Sequence, residues 1–98
     1  MAKGYWVVAY QAIKNQEAWQ AYAKVAKPVI EQMGGKYLAR TNPAKTYENG
    51  INQRVVLIEF ASVQAAIACH DSPGYQQALK HIAGGAVTRD LRVVEGVE

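Results

Sequence analysis

The chain has 98 residues, half of them hydrophobic and 19% charged, with a formal net charge of +3. That length gives one domain, residues 1–98, burying about two-thirds of its unfolded surface, and the composition excludes a disordered chain. The basic residues are scattered from Lys3 to Arg92 without a run or stripe, so the excess reads as solubility and not as a nucleic-acid footprint; no apolar stretch approaches the ~20 residues of a membrane helix.

The opening Met1-Ala2-Lys3-Gly4 leads directly into a strand, so no signal peptide is expected. The single cysteine, Cys69, suits a reducing cytoplasm as a small buried apolar residue. The first strand spans about Lys3 to Tyr10. Successive side chains point to opposite sides, so one face carries Tyr5, Val7 and Ala9 and the other Trp6, Val8 and Tyr10. Both are apolar, whereas a sheet wet on one side would alternate hydrophobic and polar residues. Asn15 is placed to cap a first helix. There Trp19, Tyr22, Val25 or Ala26, Val29, Ile30 and Met33 recur at three- and four-residue spacing as one apolar stripe. Pro28 interrupts that helix by removing a backbone donor, and Gly34-Gly35 ends it.

The second strand begins at about Lys36 and runs through Arg40 until Thr41-Asn42-Pro43 disturbs it. Glu48-Asn49-Gly50 is a hairpin-type turn signal. The third strand, about Arg54 to Phe60, again has two apolar faces: Val56, Ile58 and Phe60 against Val55, Leu57 and Glu59. Ser62 caps a second helix with Val63, Ala66, Ile67 and His70 inward, and Ser72-Pro73 restarts it with proline at its favoured first position. Tyr75, Ala78 or Leu79, and Ile82 form that segment's stripe before Gly84-Gly85. The last strand runs from about Val87 to Glu95.

The order β-α-β-β-α-β predicts an α+β, ferredoxin-like plan: an antiparallel four-stranded sheet with the helices on one face. The opposite face is apolar but has no helix to cover it. A second copy is the simplest cover, so the chain is expected to form a homodimer through its sheet face.

Certain segments carry a resemblance over nearly the whole chain. They are Lys3-Gly4-Tyr5-Trp6, Gly34-Gly35-Lys36-Tyr37-Leu38-Ala39-Arg40, Ile58-Glu59-Phe60-Ala61-Ser62, Asp71-Ser72-Pro73-Gly74-Tyr75-Gln76 and the closing Ala86-Val87-Thr88-Arg89-Asp90 through Val94-Glu95-Gly96. In this order the chain resembles the domain-of-unknown-function family numbered thirteen-thirty, in the dimeric α+β barrel superfamily. The resemblance implies a ferredoxin-like subunit pairing through its sheets into a barrel. It implies no single reaction, since the superfamily includes small cofactor-independent monooxygenases, lactone isomerases and haem-degrading enzymes. Where the family commonly has aromatic residues before the Asp-Ser-Pro element, this chain has Cys69-His70.

His70 is the candidate catalytic residue. It continues the Val63/Ile67 stripe, so it is expected to face inward near the N–H groups of Gly74 and Tyr75, where the restarted helix favours an anion. There it would serve as donor or general base toward a small carboxylate. In the competing structural reading His70 closes its own helix and Asp71 or Ser72 caps the next, leaving no room for a ligand. Trp19, Tyr22 and Tyr75, with Trp6, are the candidate lining of a flat hydrophobic pocket between helices and sheet, although such aromatics also serve simply as core. Arg40 is the candidate carboxylate anchor. A two-residue Asn49-Gly50 turn would set Arg40 across from Glu59, as a structural ion pair before a catalytic dyad. Neither His70 nor His81 sits in a metal-ligand pattern, and no glycine loop suits a phosphate, so no metal and no cofactor are expected. The expected function is that of a cytoplasmic homodimer that binds, or also transforms, a small organic acid or aromatic molecule. The alternatives are a cofactor-independent monooxygenase or isomerase with His70 as base, and a non-enzymatic association module.

Overall fold

Residues 2–98 are described by a computed structural model. The elements run β1 (Gly4–Ile13), α1 (Gln16–Gln32), β2 (Lys36–Thr41), β3 (Val55–Phe60), α2 (Val63–Asp71), α3 (Pro73–Leu79), a 3-10 turn (Lys80–Ile82) and β4 (Val87–Glu95). Local chemistry sets the boundaries. Asn15 Oδ1 accepts the Ala18 N–H at 3.0 Å, and Ser62 Oγ accepts the Ala65 N–H at 3.0 Å, so the two N-caps lie where their short polar side chains can satisfy an orphan donor. Helix α1 continues through Pro28 and stops where Gly34 adopts φ +88°, a conformation that residues with a Cβ rarely take. At Gly35 a Cβ would stand 2.5 Å from Ile30 Cγ2, so glycine also lets β2 leave close beneath the helix.

The sheet order is β2-β3-β1-β4 with antiparallel neighbours, the ferredoxin-like arrangement, and α1, α2 and α3 cover one face. That face carries Trp6, Val8 and Tyr10, at most 3% exposed, with Val56, Ile58 and Phe60 beside them. Trp6 satisfies its indole N–H on the Ala66 carbonyl at 2.9 Å, which permits so large an amphipathic ring to be buried. On the other face Tyr5, Val7, Ala9, Val55 and Leu57 stay half-buried and Val94 is exposed, as the doubly apolar strands led one to expect.

The Arg40–Glu59 pairing is corrected. Residues 42–54 form a long connection that includes the Tyr47–Gly50 turn, so the ladder is not set by a two-residue hairpin. Glu59 lies across from Lys36, whereas Arg40 lies across from Val56. A register shift between Tyr37 and Ala39 reverses the alternation at Leu38. Arg40 is thereby turned to the helix-covered side with Tyr37, and Glu59 remains on the open side, bonded to Lys3 at 3.1 Å. That ammonium holds the Glu59 carboxyl below its ordinary range. Among the described residues no helix is long and apolar enough to cross a membrane.

Candidate functional site

Rows of side chains across the helix-covered face build a cavity at one end of the sheet. Trp6 pairs with Ile58, which pairs with Tyr37; Val8 pairs with Val56, which pairs with Arg40; Tyr10 pairs with Arg89 and donates its N–H to the Arg54 carbonyl. The side chains of Trp19, Tyr22, Ala26 and Ile30 descend from α1 onto these rows. Between helix and sheet remains a cavity of about 390 Å³. This is near the lower end of the ~300–1,000 Å³ usual for small-molecule sites.

The cavity is aromatic and aliphatic over most of its wall but strongly cationic at its edges. Arg40, Arg54, Arg89, Lys24 and Lys27 line it, and among the described residues no acidic one does. The Arg40 guanidinium lies 4.8 Å from the Tyr37 ring centre, and that of Arg54 lies 4.9 Å from the Trp19 ring centre. Arg54 donates to the Arg40 carbonyl at 3.3 Å, while its buried Nε has no acceptor among the described residues. Arg89 sits within a cage of phenols. Its Nη2 donates to Tyr75 Oη at 2.7 Å, and its Nη1 to Tyr22 Oη at 3.3 Å and Tyr10 Oη at 3.5 Å. The Tyr22 and Tyr75 hydroxyls meet at 2.7 Å, and Trp19 Nε1 donates to Tyr10 Oη at 3.1 Å.

Protonation follows from burial. Desolvation pushes the Tyr22 hydroxyl far above the ordinary phenol range and that of Tyr37 up to about 12, so both remain neutral. Arg89 is held by phenol oxygens and ring faces, with no carboxylate paired to it among the described residues. Charged hydrogen bonds of ~1.5–3 kcal/mol and cation–π contacts of ~0.5–2 kcal/mol offset part of the several kcal/mol that a guanidinium loses on leaving water.

Of the residues singled out from sequence, Trp19, Tyr22 and Arg40 line the cavity. Tyr75 is fully buried one layer behind it and bonds Tyr22 and Arg89. His70 does not line it. Its ring packs 5.3 Å from that of Tyr75 and 6.1 Å from that of Trp6, and Nδ1 stands 3.1 Å from Asp71 Oδ1. The Tyr75 N–H beside it goes to Ser72 Oγ, so the capping arrangement occupies the position considered for an anion. Arg54 and Arg89 were missed because the basic residues were read as scattered solubility charges. Arg89, Leu91 and Val93 nevertheless share one alternating face of the last strand, and a lone arginine in such a row was the available signal.

Residues 3–97 match the family described as Domain of unknown function (DUF1330). The chain belongs to that family. A protein of unknown function from Rhodopseudomonas palustris superposes with a TM-score of 0.77 at 21% identity, covering 99% of this chain and 84% of that one. A cofactor-independent oxygenase from Streptomyces nogalater gives 0.65 at 11% identity, over 100% of this chain and 96% of its own. A nipsnap family protein with unknown function from Agrobacterium tumefaciens gives 0.61 at 10% identity, over 96% and 86%. At these identities the likeness is one of fold. No curated protein matches the chain. Among the described residues no three histidine, cysteine or carboxylate side chains are grouped to hold a metal.

Proposed function

We propose that this DUF1330 protein is a homodimer that binds a small organic molecule in a cavity of each subunit. One observation carries the binding reading: Trp19 and Tyr22 line the space between α1 and the sheet but do not fill it, leaving about 390 Å³. The dimer reading is supported by the half-exposed face of Val7, Val55 and Leu57, bordered by Lys3–Glu59 at 3.1 Å and Arg92–Asp90 at 3.4 Å. A rim carrying both signs suits a two-fold partner bearing the same rim. A buried thiol without a disulfide partner suits a reducing, cytoplasmic location.

A thermal-shift screen of small organic acids and quinones tests the binding reading. Saturable stabilisation by at least one compound, lost when Ala26 is enlarged to Phe to block the cavity, is expected; stabilisation that persists in Ala26→Phe places the ligand elsewhere. A second reading, catalysis of the cofactor-independent oxygenase kind, is favoured by Arg89, whose charge could stabilise an oxyanion forming on a bound substrate. Oxygen uptake with a compound found in the screen separates catalysis from binding alone.

A further inference from the structure

We infer that the cavity takes an aromatic monocarboxylate, with its carboxylate against Arg89 and the Tyr10 and Tyr22 hydroxyls; this assignment rests on the binding reading and names what is bound. The Arg89 cluster holds more donors than acceptors. Tyr10 Oη accepts from Trp19 Nε1 at 3.1 Å and Arg89 Nη1 at 3.5 Å, and its own hydrogen meets no acceptor among the described residues. One hydroxyl hydrogen bridges Tyr22 and Tyr75, whose oxygens stand 2.7 Å apart, and the other meets no acceptor among the described residues. A guanidinium carries five N–H donors. Arg89 uses three of them, on Tyr10, Tyr22 and Tyr75. Arg89 is only partly buried and its Nε is not sealed from water, so the deficit lies in the spare hydroxyl hydrogens and in a cation with no carboxylate paired to it among the described residues. The buried Arg54 Nε, on the same cavity wall, is a donor with no acceptor among them.

An oxyanion is the group that answers both deficits. A carboxylate offers two oxygens to the spare N–H and O–H donors and brings one negative charge to one partly buried guanidinium. A phosphate dianion would reverse the charge imbalance of the Arg89 cluster without removing it. The body of the ligand meets Trp6, Trp19 and Tyr37 with Val8 and Val56, and these rings favour an aromatic partner in offset or edge contact. Arg40 is exposed, so its charge is hydrated and makes a weaker demand for an anion than Arg89 does.

The test is calorimetric titration of the full chain with naphthalene carboxylate and with its neutral near-isostere, naphthalene carboxamide, near neutral pH. The acid is expected to bind about tenfold to a hundredfold more tightly, the range for charge-assisted hydrogen bonds. Arg89→Met is expected to erase that preference. Should the Arg89→Met chain not fold, Tyr10→Phe is expected to weaken the acid several-fold and leave the amide unchanged. Equal affinity for acid and amide overturns the carboxylate assignment and leaves the binding reading standing. A preference that survives Arg89→Met, or is untouched by Tyr10→Phe, overturns the assignment to this cluster. If neither compound binds at millimolar concentration, the assignment and the binding reading fall together for aromatic ligands.

Discussion

Replacing Tyr75 by Phe removes one oxygen from a side chain with 0% exposure and leaves its ring packing in place. The lost atom meets Tyr22 Oη and Arg89 Nη2, each at 2.7 Å. The hydroxyl pair contributes about 1 kcal/mol, and the bond from the charged donor about 1.5–3 kcal/mol, because the stranded N–H cannot turn to water. The sum is about 2.5–4 kcal/mol. With Arg89 already replaced by Met, only the hydroxyl pair is left to lose, so the two substitutions should couple by about 1.5–3 kcal/mol. At about 4–8 °C per kcal/mol for a domain of this size, Tyr75→Phe alone lowers Tm by roughly 10–30 °C. The assay is urea and thermal denaturation of the four proteins in the cycle at one protomer concentration, since dimerisation would make Tm depend on it. If the two substitutions add to within about 0.5 kcal/mol, Tyr75 does not hold the guanidinium in place, and the anchoring of Arg89 by buried phenols is refuted.

Leu57→Glu puts a carboxylate between Val7 and Ala39 on the open sheet face. Sedimentation at micromolar concentration should show a dimer for the parent chain and a folded monomer for the variant; equal masses would remove the sheet-face interface. Burial pushes the Cys69 thiol up to about 11, so near neutral pH it is protonated and should alkylate far more slowly in the native chain than in urea. Because the unfolded thiol ionises first, near ~8.5, stability should decline as pH rises from there toward the folded value. Comparable native and denatured labelling rates would contradict this burial. His70→Gln should leave ligand affinity within about twofold, since the ring does not line the cavity, and a larger loss would return His70 to the site. Gly35→Ala forces a Cβ to within 2.5 Å of Ile30 Cγ2 and 3.0 Å of Phe60 Cε1, and should cost about 1–3 kcal/mol in urea denaturation.

The element order, the N-caps of α1 and α2, the glycine stop after α1 and the last strand's bounds were legible in the chain, because each depends on residues within a few positions of one another. Period-two alternation likewise exposed two apolar sheet faces, and the helical stripe brought Trp19 and Tyr22 to the cavity. The cation cluster was not legible. Arg40 reaches the cavity only because an irregularity at Leu38 reverses its side of the sheet, and a register shift of this kind leaves no mark in composition. Arg89 meets Tyr10, Tyr22 and Tyr75 across separations of up to 79 residues, through pairing of β1 with β4 and docking of α1 over both. Sequence alone determined which segments form helix or strand and which sheet sides are apolar, since those follow from nearest-neighbour chemistry; in α2 it set Ile67 inward, whereas packing buries Ala66 and Cys69 and leaves Ile67 46% exposed. Strand register and helix docking decided which charges meet without a paired carboxylate among the described residues, because proximity across a sheet is a property of the packed chain.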